Sequence, residues 1–112
     1  MIGKHYSRNE YNCAHFVADY YREKLNVEIP VINEFDISFM RWMRQNFVKS
    51  DNPVEHCLVL MVEHKQSHIG IYADSGVYHN YKPSNALGSV VHTQLGAIKR
   101  NYSQVSYWIW ST

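Results

Sequence analysis

The chain has 112 residues, the length of one domain, and a composition of 46% hydrophobic with 14% aromatic residues supplies apolar surface for one core. Its 11 Lys and Arg stand against 10 Asp and Glu, a formal charge of +1 with no long run of either sign, which argues against a broad electrostatic grip on nucleic acid or anionic lipid. The start Met1-Ile2-Gly3-Lys4-His5-Tyr6 lacks a signal-peptide core, and the strongest apolar run, Cys57 to Val62, is too short to span a bilayer.

The expectation is therefore a single domain over residues 1–112, made in the cytoplasm and without stable membrane insertion. Two cysteines in unlike contexts, Cys13 and Cys57, do not form the framework of a disulfide-stapled scaffold, so both thiols are expected to be free.

In chain order, Phe16, Val17, Tyr20, Tyr21 and Leu25 recur at helical spacing, with Asp19, Arg22 and Glu23 on the other side. Asn12 is the candidate N-cap, which puts Cys13 in the first turn, and Pro30 lies beyond the end. A second helix is predicted from about Asp36 to Val48, with Phe39, Met40, Met43 and Phe47 as its apolar side and Asp36 as its cap.

After the breakers Ser50-Asp51-Asn52-Pro53 the period changes. Cys57 to Val62 reads as a central strand buried on both faces. Ile69 and Ile71 then alternate with His68, Gly70 and Tyr72, Asp74-Ser75-Gly76 supplies a turn, and Val77 to Tyr81 runs back. Two further strands are predicted at Ser89 to Thr93 and Val105 to Trp110. Helices first and an antiparallel sheet afterwards make an α+β fold, with the N-terminal helices packed on the C-terminal sheet.

The chemistry-bearing residues are Cys13, His68 and His79. A thiol in the first turn of a helix is favoured as thiolate by the macrodipole and the unpaired N–H groups, and those N–H groups also face a developing oxyanion. His68 opens its strand beside Gly70, where a missing side chain is expected to let the nucleophile's helix approach the sheet. A cysteine hydrolase also needs a group that orients the imidazole, and His79 is the candidate. Strand parity decides whether the histidines meet. With Ala73 paired to Gly76 around Asp74-Ser75, His79 lies opposite Gly70 and diagonal to His68, a span of about 7 Å between backbones that imidazoles can close. A three-residue loop turns His79 away instead.

Other histidines carry less. His15 stands about 200° around the helix from Cys13 and is expected to pack or to hydrogen-bond. His5, His56 and His92 are expected at the surface, and Cys57 in the core. His64 and His68 have helical zinc spacing, but they follow a strand-like run, without a glutamate after the first histidine and without paired cysteines. No metal is expected.

Tyr11-Asn12-Cys13-Ala14-His15-Phe16-Val17, then His68-Ile69-Gly70-Ile71-Tyr72 and Gly76-Val77-Tyr78-His79, resembles the NlpC/P60 superfamily of papain-like cysteine peptidases, over residues 11 to about 81. The departures are Asn12 where the family has Asp and Ala14-His15 where it has Ser-Gly. Asn12-Cys13-Ala14-His15-Phe16-Val17 is also similar to the lecithin:retinol acyltransferase branch, in which the histidine strand precedes the cysteine; here the cysteine comes first.

The resemblance implies a papain-like NlpC/P60 fold without cofactor. It gives Cys13 as nucleophile, His68 as general base, His79 as orienting residue, and an upstream tyrosine, Tyr6 or Tyr11, near the oxyanion. It also implies cleavage of an amide bond, typically in peptidoglycan stem peptides at a D-glutamyl–diamino acid linkage. Such a domain without export signal or wall-binding module fits a phage or prophage tail component, or an effector injected by a secretion machine. It would then act on a virion or in the periplasm and cell wall. The competing readings are an acyltransferase or thioesterase on the same fold and a non-enzymatic tail assembly module.

Overall fold

The change of hydrophobic period along the chain is matched by the architecture of the computed structural model, which describes residues 13–29, 37–63, 66–81 and 89–111. The described elements are α1 (Cys13–Leu25), α2 (Ile37–Asn46), β1 (Phe47–Ser50), β2 (Leu58–Glu63), β3 (Gln66–Ala73), β4 (Gly76–Tyr81), β5 (Ser89–Gln94), α3 (Leu95–Asn101) and β6 (Gln104–Trp110). The six strands form one sheet in the order β1-β6-β2-β3-β4-β5, every neighbouring pair antiparallel. The fold is α+β.

In α1 the predicted apolar stripe is the buried one: Phe16, Val17, Tyr20 and Tyr21 lie inside, while Arg22 and Glu23 are exposed. Burial of such side chains contributes about 1.5–3 kcal/mol each and holds a helix of this length on its sheet. The helix ends where Asn26 takes φ 54° and the Val27 N–H bonds back to the Tyr21 carbonyl at 3.1 Å. Asparagine adopts that left-handed conformation at low cost. The proposed caps Asn12 and Asp36 lie outside the described residues.

The second helix is shorter than its apolar spacing predicted. It stops at Asn46, and Phe47 and Val48 belong to β1, paired with Trp110 and Ile109 of β6. An aromatic joint explains the switch. The Phe47 ring lies 5.1 Å from that of Trp110 and 5.9 Å from that of Trp42, while Trp42 and Trp110 are 6.1 Å apart. An aromatic followed by a β-branched residue fits the sheet better than a last helical turn once a partner strand offers that packing.

The sheet separates two cores. On one face Leu58, Leu60, Ile69, Ile71, Ala73 and Val90 pack with Phe16, Val17, Tyr20 and Tyr21 of α1 and Met43 of α2. On the other face Val59, Met61, Val77 and Tyr107 pack with Ile98 of α3, a helix that the sequence reading did not anticipate. As predicted for a central strand, β2 feeds both faces, with Leu58 through Met61 all buried. Cys57 sits just before that strand, a buried free thiol 2% exposed. Among the described residues no helix is long and apolar enough to cross a membrane.

Candidate functional site

Asp74 and Ser75 take φ values of 55° and 64°, and Ala73 pairs with Gly76, so the β3–β4 hairpin turns on two left-handed residues. Two consecutive positive φ values define the type I′ turn, whose twist matches that of the flanking strands. An even turn keeps the parity that brings the histidines together, and Gly70 pairs with His79 as the two-residue alternative required. His68, one pair removed on the diagonal, places its Nε2 3.2 Å from Nδ1 of His79, with the rings nearly perpendicular at 79°.

His79 is 3% exposed, the one buried polar or charged side chain among the described residues. Its second nitrogen is also engaged: Nε2 lies 2.9 Å from the Thr93 Oγ1 of β5. Burial, and secondarily His92, pushes the His79 pKa down from 6.5 to about 4. His68, the third residue of β3 rather than its first, is half-buried; burial, then His79, pushes its pKa down to about 3. Both rings are neutral at pH 7. A neutral pair holds one shared proton between Nε2 of His68 and Nδ1 of His79, so each ring fixes the tautomer of the other.

Gly70 serves a different neighbour from the one expected. A Cβ there would lie 2.6 Å from the Tyr78 carbonyl oxygen, 2.8 Å from Val77 Cγ1 and 3.0 Å from His79 Cβ, all on β4. The missing side chain makes room for the returning arm that carries His79, and α1 has no part in it. Strand alternation gives the reason. α1 packs on the face of Ile69, Ile71 and Ala73, whereas His68, Gly70 and Tyr72 alternate to the opposite face, which Val77, Met61 and α3 share. His68 and His79 therefore do not look at α1 across the sheet.

Cys13 is the first residue of α1, as the helix periodicity predicted. Its side chain lies outside the described residues, as do Tyr6, Tyr11, His5, His64 and the side chain of His15. Two histidines expected at the surface have structural work. His56, with φ 71°, is half-buried, its Nδ1 2.9 Å from the Tyr20 hydroxyl, while the Tyr21 hydroxyl donates to its carbonyl at 2.6 Å. His92 is exposed but lies with its ring 4.4 Å from that of Tyr78, its Nε2 3.0 Å from the Ala73 carbonyl.

Cys57 is held by its surroundings: the Val54 N–H points at its sulfur at 3.5 Å, and burial pushes its thiol pKa up. Among the described residues no group of three or more His, Cys, Asp or Glu side chains is placed to hold a metal ion. Thr93 escaped the sequence reading. Its signal was a hydroxyl residue on a strand beyond the histidine hairpin, but the length of the intervening connection hides the register that brings it to His79.

Compared with family models, with curated proteins and with solved structures, the chain matches none.

Proposed function

We propose that the chain is a cysteine hydrolase of the NlpC/P60 type that cleaves an amide bond in peptidoglycan stem peptides, with Cys13 as nucleophile, His68 as base and His79 as orienting residue. The observation that carries this reading is the His68–His79 pair, 3.2 Å apart and joined through Nε2 of His68. That contact leaves Nδ1 of His68 as the atom to exchange protons with a thiol. A half-buried neutral ring beside a buried one held at both nitrogens is the arrangement a general base and its orienter require.

The placement of α1 makes a definite demand. Tyr20 and Tyr21 reach His56, whose N–H bonds to the Tyr72 carbonyl, so that part of the helix belongs to the Tyr72 end of β3. From Tyr21 back to Cys13 is about 12 Å at helical rise, and from Tyr72 back to His68 about 13 Å at strand rise. A helix aligned with β3 brings Cys13 level with His68. The imidazole belongs to the face opposite α1 and the sheet runs on past His68 to Gln66, so the reading requires the Cys13 thiol to reach Nδ1 from beyond the Gln66 end of β3.

In the reaction the Cys13 thiol gives its proton to Nδ1 of His68 as sulfur bonds to the substrate carbonyl carbon. The tetrahedral intermediate collapses, the C–N bond breaks, and His68 returns the proton to the leaving amine. Water then gives a proton to His68 and adds to the thioester. Cleavage of the C–S bond releases the acid, and sulfur regains its proton.

Purified sacculi incubated with the protein, with fragments identified by mass spectrometry, test the reading. The expected result is stem-peptide fragments cut at the D-glutamyl–diamino acid bond by wild type and none by Cys13→Ala. Equal release by Cys13→Ala would overturn it.

A further inference from the structure

The proton arrangement of the histidine pair depends on a third side chain. Nδ1 of His79 faces His68 and Nε2 faces the Thr93 hydroxyl at 2.9 Å, so this buried ring is gripped at both nitrogens. A neutral imidazole carries one N–H, and a hydroxyl can donate or accept, so two protonation patterns satisfy the chain. In one, Thr93 donates to Nε2 of His79. His79 then donates from Nδ1 to Nε2 of His68, whose own proton sits on Nδ1, leaving it no lone pair with which to take a thiol proton. In the other, Thr93 accepts from His79 Nε2–H, and His79 Nδ1 accepts from His68 Nε2–H. Nδ1 of His68 is then a base.

We infer that Thr93 is a positioning residue: by accepting a hydrogen bond from His79 Nε2 it selects the second pattern and keeps His68 in its basic tautomer. This rests on the proposed roles of His68 and His79 and extends them to β5, a strand outside the stretch that resembles the family. The geometry is specific. In the β4–β5 register Val77 pairs with Thr93 and His79 with Val91, so Thr93 reaches His79 diagonally on one face of the sheet, as His68 does from the other side. His79 thus sits at the centre of a three-strand relay. The backbone of His79 is paired in the β3–β4 and β4–β5 ladders and that of His68 in the β2–β3 ladder.

Replacing Thr93 by Val keeps the shape and removes the acceptor. His79 Nε2 would then lose the Thr93 hydroxyl as an acceptor, which weakens the pattern with the proton on Nε2, and moving that proton to Nδ1, where His68 Nε2 accepts it, is the favoured response. Both rings switch tautomer together.

Imidazole 15N chemical shifts of the full chain at pH 7 read this without reference to turnover. Wild type and Thr93→Ser are expected to carry the proton on Nε2 in both His68 and His79, and Thr93→Val to carry it on Nδ1 in both. On a soluble muropeptide, Thr93→Val should lose about three- to tenfold in kcat with KM unchanged, as expected for one hydrogen bond, and Thr93→Ser should restore it. A folded Thr93→Val with wild-type tautomers would overturn the inference. So would a wild-type pattern with Nδ1 protonated. Hydrolysis by Cys13→Ala would instead overturn the enzymatic reading, while the 15N pattern would still decide what Thr93 does.

Discussion

Acid should weaken this fold earlier than carboxylate chemistry alone would, and His79 makes the effect measurable. Its pKa falls from 6.5 to about 4 because burial disfavours the charged ring, with His92 adding to the effect. Above pH 6.5 the ring is neutral in both folded and unfolded chain, and its burial contributes no pH dependence. As pH falls below 6.5 the unfolded chain binds a proton that the folded chain refuses. Stability drops by about 1.4 kcal/mol per pH unit until the folded pKa is reached. Over that window one histidine costs about 3 kcal/mol, a large part of the 5–15 kcal/mol typical of a domain. His68, lowered to about 3, acts in the same direction. Urea denaturation at pH 7, 6, 5 and 4.5 should show the wild-type midpoint falling by about 1–2 M for each of these two histidines between pH 6.5 and 5. His79→Asn, which starts from a lower midpoint, should lose one histidine's worth of this slope. Identical pH slopes in wild type and His79→Asn would refute the reasoning.

The proposed histidine roles predict an order of variants in hydrolysis of sacculi: wild type, His79→Asn, His79→Ala, then His68→Asn. Asparagine still accepts the His68 Nε2–H, alanine cannot, and loss of the base costs about 10²–10⁴-fold. Full activity in His79→Ala would show that another group orients His68. Two glycines should respond with opposite sign in thermal melts. Gly70→Ala drives a Cβ to 2.6 Å from the Tyr78 carbonyl oxygen and should destabilise by about 1–3 kcal/mol. Gly96→Ala, inside α3 with only an Arg100 side chain within reach, at 3.6 Å, should stabilise by about 0.5–1 kcal/mol. A neutral Gly70→Ala would mean that β4 is free to shift there.

Local patterning carried much of the fold. The period of 3.6 along Phe16, Val17, Tyr20 and Tyr21 and the period of 2 along Ile69 and Ile71 both survive as buried stripes. The two-residue turn at Asp74-Ser75 was enough to bring His79 beside His68, because parity is a local property. What was lost depends on distant partners. Phe47 and Val48 leave helical spacing because Trp110, 63 residues beyond Phe47, pairs there. α3 has seven residues and a glycine at its second position, too little for propensity to register, although Leu95, Ile98 and Tyr102 keep helical spacing. The face that α1 occupies was legible in hindsight. Ile69, Ile71 and Ala73 are the apolar side of β3, so a helix burying its own apolar stripe takes that side and leaves His68 and Gly70 on the other.

That placement separates two ways of activating Cys13. A histidine with pKa about 3 is a poor source of a pre-formed imidazolium, so His68 alone would not hold the thiol ionised in the resting protein. The first-turn position of Cys13 in α1 supplies an independent source, the unpaired N–H groups and dipole of a thirteen-residue helix. Cys57 has neither, and burial pushes its pKa up. Iodoacetamide at pH 6 should therefore label Cys13 well before Cys57 in the folded protein, read by peptide mass spectrometry. His68→Asn should keep this preference while losing hydrolysis if, as proposed, thiolate formation rests on the helix start and proton delivery to the leaving amine on His68. Equal labelling of the two cysteines in wild type would show that Cys13 is not activated. Loss of the preference in His68→Asn would show that an ion pair with the imidazole, rather than the helix start, ionises the thiol.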